Sequence, residues 1–135
     1  MENTFNGVTT QVINLNCPYK KAWTLLSDPL FQKKWGTSFF KDISNGETSF
    51  IAETRFGKMS MKVVSDEALG TIDTYMDGVL TNPTRLVRLG DDACIYTFTL
   101  FKPAIATEEM FQTQGVPNLK EDLKTLKQIL ESPNY

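Results

Sequence analysis

From about residue 38 to residue 102, apolar and polar positions alternate with a period of two, and the alternation breaks at Asn45-Gly46, Gly57-Lys58, Gly70, Asp77-Gly78 and Gly90-Asp91-Asp92. Breaks of this composition are hairpin signals, so the middle of the chain is predicted as an antiparallel meander. Ahead of it, residues 8–16 (VTTQVINLN) read as a strand. Pro18 then suits the first position of a short helix in which Tyr19, Ala22, Trp23 and Leu26 share one face. Ser27-Asp28-Pro29 ends it, and Asp28 can cap a second short helix anchored by Leu30, Phe31 and Trp35 and closed at Gly36. Beyond the meander, Thr107 is placed to cap a helix opening on Glu108-Glu109, where acidic side chains suit the positive end of the dipole. Leu119, Leu123, Leu126 and Leu130 recur along it at spacings of four, three and four, a stripe that the sheet must cover. Pro117 removes a backbone donor, so a bend is predicted between Gly115 and Asn118.

The alternation also sets an expected register. With Phe56 opposite Met59, Thr54 faces Met61, Ala52 faces Val63 and Glu53 faces Lys62. With Val63 opposite Ile72, Met61 faces Thr74, Met59 faces Met76, Lys62 faces Asp73 and Lys58 faces Asp77. Apolar pairs then share one face and opposite charges the other, the arrangement that cross-strand contacts favour. In the last hairpin Leu89 pairs with Cys94, Val87 with Tyr96 and Arg85 with Phe98. The inward face so defined runs from Phe50, Ala52, Thr54 and Phe56 through Met59, Met61, Val63, Ile72, Thr74 and Met76. It continues with Arg85, Val87, Leu89, Cys94, Tyr96, Phe98 and Leu100. Glu53, Lys58, Lys62, Asp73 and Asp77 are expected on the convex, wetter face.

At 135 residues, 41% hydrophobic and 22% charged, the chain fits one globular domain with one core, spanning residues 1–135. Fourteen Lys+Arg against sixteen Asp+Glu leave a net charge of −2, which argues against nucleic acid as a partner. The sequence contains no histidine, so Ser-His-Asp, Cys-His and His-metal chemistries are excluded. Cys17 and Cys94 show no metal-ligand spacing and are expected as buried, unreactive thiols. No metal and no cofactor is expected. Met1-Glu2-Asn3-Thr4 lacks the basic and apolar regions of a secretory signal, and no apolar run is long enough to span a bilayer. An intracellular, cytoplasmic protein without a transmembrane segment is therefore expected.

The carboxylate pairs have structural readings: turns for Asp66-Glu67 and Asp91-Asp92, a helix start for Glu108-Glu109, and a solvent-facing helix surface for Glu121-Asp122. No catalytic residue is named by these patterns. The mostly apolar inward face either closes into a dry core or leaves a concave pocket, and the same residues serve both outcomes. In a pocket, Phe56, Met59, Met61, Met76 and Phe98 would form the walls, Thr74 and Tyr96 would offer hydroxyls, and Arg85 would be the charged group. A guanidinium on an apolar face needs a partner, so Arg85 is expected at the mouth or bound to the carboxylate or carbonyl end of a ligand.

Three segments carry a family resemblance. They are Pro18…Ala22-Trp23…Leu26-Ser27-Asp28-Pro29 with Trp35; Thr84-Arg85-Leu86-Val87-Arg88-Leu89-Gly90-Asp91-Asp92; and Thr99-Leu100-Phe101-Lys102-Pro103 leading into Asp122-Leu123-Lys124-Thr125-Leu126-Lys127. In this order of elements the chain resembles the START-like (SRPBCC) superfamily, which includes polyketide cyclase-like and Bet v 1-like proteins, over nearly its whole length. The resemblance implies an α+β helix-grip fold: a seven-stranded curved antiparallel sheet wrapped around a long C-terminal helix, with two short helices after the first strand. It also implies a cavity between sheet and helix for lipids, sterols, polyketides or hormones. The expected function is intracellular binding of a small hydrophobic or amphipathic ligand, lipid- or polyketide-like. One alternative is a cyclase or dehydratase-type enzyme in which Arg85, Tyr96 or Thr74 polarises a carbonyl. A further alternative is an Hsp90-activator-like interaction module, because Asp28-Pro29…Lys34-Trp35-Gly36 is similar to that branch of the superfamily. A homodimer is left open. The break at Gly115 to Pro117 departs from the uninterrupted long helix of the superfamily.

Overall fold

The computed structural model describes the backbone of residues 2–135 and the side chains of residues 6–135; Met1, part of the amino-terminal stretch read above, lies outside the described residues. Strands β1 (Glu2–Phe5), β2 (Val8–Leu15), β3 (Phe40–Asn45), β4 (Phe50–Thr54), β5 (Gly57–Asp66), β6 (Thr71–Met76), β7 (Val79–Arg88) and β8 (Cys94–Phe101) form one antiparallel sheet. Its order is β1-β2-β8-β7-β6-β5-β4-β3. The seven expected strands are present, and β1 adds an eighth at the edge by folding back on β2 through Gly7, whose φ of +77° costs glycine little. The short helices follow as α1 (Tyr19–Leu26) and, after a 3₁₀ turn at Pro29–Phe31, α2 (Gln32–Trp35). Asp28 caps that turn, its carboxylate accepting from the Leu30 N–H at 3.0 Å.

Two of the hairpins are shifted from their expected register without changing face. A two-residue turn at Arg55-Phe56 places Thr54 opposite Gly57, so Ala52 meets Met59, Phe50 meets Met61 and Glu53 meets Lys58. In the next pair Met61 meets Met76, Val63 meets Thr74 and Lys62 meets Tyr75. Both slips are even in their sum of positions, and an even slip leaves every side chain on its side of the sheet. Lys58 and Lys62 are accordingly exposed, with Glu53 and Asp73 half-buried. Among the described residues none of the expected charge pairs forms an ion pair, and Lys58 pairs instead with Glu53 at 3.5 Å.

The β7–β8 hairpin is the exception, and its register corrects the inward set. Five residues, Leu89 to Ala93, close it, with the Leu89 N–H donating to the Ala93 carbonyl at 2.9 Å. Arg88 therefore pairs with Cys94, Leu86 with Tyr96, Arg85 with Thr97 and Thr84 with Phe98. This odd slip inverts β7: Asn82, Thr84 and Leu86 face the core, while Arg85, Val87 and Leu89 are exposed. The inversion keeps a guanidinium in water, where it costs nothing to solvate.

The C-terminal segment begins as expected. The Thr107 hydroxyl accepts from the Met110 N–H at 3.1 Å and starts α3 (Glu108–Met110). Instead of a sharp bend, a π turn follows at Phe111–Gly115 and runs directly into α4 (Val116–Glu131). The wider turn closes with the Val116 N–H on the Phe111 carbonyl, one residue ahead of Pro117. Pro117 thus sits in the first turn of α4, where no α-type hydrogen bond is lost. Leu119, Leu123, Leu126 and Leu130 are all buried between α4, the sheet and α2, in one cluster with Leu15, Trp23, Trp35 and Phe98. A second cluster, Phe40, Ile43, Ala52, Met61 and Met76, fills the far end under β3 to β6. Among the described residues no helix is long and apolar enough to cross a membrane.

Candidate functional site

Trp35, Phe98 and Leu119 belong to the first core cluster, and Phe40 and Met76 to the second. Where these side chains fall short of one another a pocket of about 160 Å³ remains, roofed by the π turn and the start of α4. The floor comes from β6 to β8, with Met76, Asn82, Phe98 and Leu100, and the β4–β5 hairpin brings Phe56 and Met59 to one side. α2 supplies Trp35, whose ring stands edge-on to Phe98 at 6.0 Å, and the loop after it supplies Ser38 and Phe39. Phe39 in turn packs on Phe40 at 4.9 Å and Phe56 at 6.0 Å. The rim is made by exposed residues, Arg55, Phe101, Ile105 and Gln114. Across it, the Arg55 guanidinium donates to Gln114 Oε1 at 3.2 Å and lies over the Phe56 ring at 5.7 Å, linking the hairpin to the π turn. Gly115 ends that turn, and a Cβ there would stand 3.2 Å from the Phe111 ring.

Of the residues expected to build a site, Phe56, Met59, Met76 and Phe98 meet in this pocket. Met61 is fully buried in the second core cluster and is not part of the pocket's lining. Thr74 and Tyr96 meet elsewhere, around a neighbouring void of about 10 Å³ that they share with Thr84 and Phe98 and that is large enough for one water molecule. Burial pushes the Tyr96 hydroxyl well above its ordinary pKa, a hydrogen bond to Thr84 opposing it only in part. Tyr96 is therefore a neutral phenol held in the core. Arg85 lies on the opposite face of the sheet, exposed, between Thr71 and Thr97. The role of ligand anchor or carbonyl polariser expected for it is thereby overturned. Arg85→Ala is expected to change the free energy of unfolding by less than about 0.5 kcal/mol. Denaturant titration checks this, and a loss of 1 kcal/mol or more would restore a structural role.

Cys17 and Cys94 are free and buried, the Cys94 thiol donating to the Cys17 carbonyl at 3.3 Å. Burial pushes the Cys94 thiol up to about 11 and also raises Cys17, which disfavours the thiolate that a nucleophile needs.

The polar group that the alternation did not reveal is Asp122. It was expected on the solvent face of the helix with Glu121, but it falls three residues after Leu119 and four before Leu126, on the buried side. Glu121 is exposed; Asp122 is 8% exposed and lines the pocket. Its carboxylate accepts from the Ser38 hydroxyl at 2.5 Å and from the Ser38 N–H at 3.4 Å, pinning the loop after α2 to α4. Burial raises its pKa, with the two Ser38 hydrogen bonds opposing that effect and Glu121 adding to it. The folded chain therefore retains this proton to higher pH than the unfolded one, whose aspartates titrate near about 3.9. The stability Asp122 contributes is complete below that range and is lost as pH rises through the raised folded value. Asp122→Asn cannot ionise, so its melting temperature relative to the parent chain is expected to improve steadily between about pH 3 and about pH 7. An offset that stays constant across this window would remove burial as the controlling term.

No family model matches the chain, and no curated protein matches it in sequence. Solved structures do match it in three dimensions. The protein XoxI from Bacillus cereus superposes with a TM-score of 0.73 at 11% identity, over 96% of this chain and 99% of that one. A START superfamily protein from Mycobacterium smegmatis gives 0.65 at 12% identity, over 92% and 97% of the two chains. Truncated norcoclaurine synthase from Thalictrum flavum gives 0.60 at 12% identity, over 96% and 94%. At such identities the likeness is one of fold, and it extends over the sheet, the paired short helices and the C-terminal segment alike. The chain has the START-like helix-grip fold.

Proposed function

We propose that the chain binds a small hydrophobic or amphipathic molecule, lipid- or polyketide-like in character, in the pocket between the sheet and the C-terminal segment, in an intracellular setting. The observation that carries this reading is the apolar void of about 160 Å³ walled by Trp35, Phe56, Met59, Met76 and Phe98. Close packing normally eliminates space of that size from a domain of this length. The START-like fold, which encloses ligands between the same two elements in the superfamily that the chain resembles, supports the same reading.

Volume sets the part of the ligand that fits. An apolar cavity of about 150 Å³ accommodates benzene, whereas sites for drug-sized molecules run to about 300–1,000 Å³. One ring or a short acyl end is accommodated inside, and the remainder of a longer molecule would lie at the rim beside Arg55, Ile105 and Gln114. Native mass spectrometry of the purified protein, with extraction of any copurifying small molecule, tests the proposal, with Met59→Trp as the blocked variant. The expected result is a bound species on the parent chain that is absent from Met59→Trp at unchanged secondary structure. Equal occupancy of both proteins, or failure of toluene and benzyl alcohol to bind the parent chain at all, would exclude the pocket as the binding site.

A further inference from the structure

Asp122 and Asn82 are the polar side chains of this pocket that are more than nine-tenths buried, at 8% and 7% exposed. They come from opposite walls, Asp122 from α4 and Asn82 from β7. A carboxylate offers about four lone-pair positions, and Ser38 occupies two of Asp122's through its N–H and hydroxyl. Among the described residues no Lys or Arg lies within ion-pair distance of Asp122, and the nearest charge acting on it is Glu121, of the same sign. Holding the Ser38 loop needs only a neutral acceptor; a buried carboxylate without a counter-charge is a costly way to supply one. Asn82 is half engaged in the complementary sense. Its Oδ1 lies 3.1 Å from the Thr81 hydroxyl, whose one proton it shares with the Thr74 carbonyl at the same distance, and its Nδ2 has no hydrogen-bond partner among the described residues. The pocket therefore presents an acceptor from the helix side and a donor from the sheet side, set in an otherwise apolar wall. The cation at the rim, Arg55, is exposed and engaged by Gln114 Oε1 at 3.2 Å.

We infer that the pocket selects a ring-sized apolar ligand bearing a hydroxyl group, which donates to the Asp122 carboxylate and accepts from the Asn82 amide, and that it rejects ligands whose buried end is itself a carboxylate. A hydroxyl is the small group that is donor and acceptor at once, so one seated between the two side chains would satisfy both. A ligand carboxylate brought beside Asp122 would place two like charges in a site where little water screens them, and a desolvated anion facing an acceptor has no partner for its lone pairs. The inference rests on the pocket-binding proposal and reverses the ligand charge that an arginine anchor implied.

The test is calorimetric titration of toluene, benzyl alcohol and benzoate into the parent chain, Asp122→Leu, Asp122→Asn and Asn82→Leu, with amide NMR spectra confirming the fold of each. Benzyl alcohol is expected to bind the parent chain and to lose about tenfold in affinity in Asp122→Leu, the scale of a hydrogen bond to a charged group, while toluene changes less than about twofold. Asn82→Leu is expected to weaken benzyl alcohol severalfold and spare toluene. Benzoate is expected not to bind the parent chain and to gain measurable affinity in Asp122→Asn, which keeps the side chain's shape and loses its charge. If Asp122→Leu does not fold, the benzoate gain in Asp122→Asn and the Asn82→Leu loss decide the matter. Toluene and benzyl alcohol losing affinity together, or benzoate binding the parent chain as tightly as benzyl alcohol, would overturn the selection of a hydroxyl while leaving the pocket proposal standing. Absence of binding by all three probes would overturn both.

Discussion

Leu126→Ala is expected to lower the free energy of unfolding by about 2–5 kcal/mol. Leu126 has no exposed surface and lies in the same cluster as Leu15, Trp23 and Trp35, on the helix that packs against β2 and α2. Removing three heavy atoms there forfeits their transfer from water and leaves a void that strands on one side and a helix on the other cannot both move to fill. A domain of this size is typically stable by about 5–15 kcal/mol, so the loss is a large fraction of the total. Denaturant titration measures the loss directly. A midpoint unchanged by Leu126→Ala would mean that the leucine stripe of α4 is not the main cover of the sheet.

Gly70→Ala is expected to cost about as much for a different reason. Gly70 lies in the β5–β6 turn at φ +73°, where its N–H donates to the Asp66 carbonyl at 2.8 Å and its own carbonyl accepts from the Leu86 N–H at 2.7 Å. A Cβ at this position would stand 2.1 Å from the Leu86 carbonyl oxygen, a backbone atom that cannot rotate away. The left-handed conformation contributes about 1–2 kcal/mol, and relieving the overlap about 1–3 kcal/mol more. The disturbance also reaches α1, because the Tyr19 hydroxyl donates to the Glu67 carbonyl in the same turn at 2.8 Å. Thermal melting with near-ultraviolet circular dichroism reads both effects, the Tyr19 signal changing with the midpoint. A melting temperature within one degree of the parent chain would show that this turn relaxes freely.

The face of each strand from β4 to β6 was legible because it depends only on parity. The exact partners were not, since a turn at Arg55-Phe56 and one at Gly57-Lys58 satisfy the same apolar and polar pattern. Between β7 and β8 the same kind of ambiguity had a consequence, because a loop of five residues instead of four exchanges the faces. The arginines gave no signal against the error, because each parity puts one of them on the core face, Arg85 or Arg88; the chain takes the second, with Arg88 at the strand's exposed end, its guanidinium over the Tyr19 ring at 4.7 Å. Asp122 was also legible, lying within the Leu119 to Leu126 spacing as clearly as any leucine. It was read with its neighbour Glu121 as a charge pair, although adjacent helical residues point about 100° apart. Ser38 and Asn82 carry no such mark, because their part in the pocket depends on where a loop and a bulged strand are set in space. The bulge at Thr74/Tyr75, with Thr81 as the extra residue beside Asn82, is a long-range outcome of pairing β6 with β7.

The π turn determines more than the continuity of the helix across Pro117. Phe111 and Leu119 are eight positions apart, and on a regular helix they would point about 80° away from each other. One surplus residue in the turn takes up a whole step of about 100°, leaving them about 20° apart. Phe111 is thereby brought into angular phase with Leu119, Leu123, Leu126 and Leu130, and its ring closes the roof of the pocket rather than facing the solvent. The depth of the pocket is accordingly set by how many residues the turn takes up rather than by their identity. Loss of a single position between Phe111 and Gly115 would return the turn to regular α geometry with the ring still in phase, seven positions from Leu119, whereas regularising the turn at its present length would swing the ring about 80° out of line and leave the roof open.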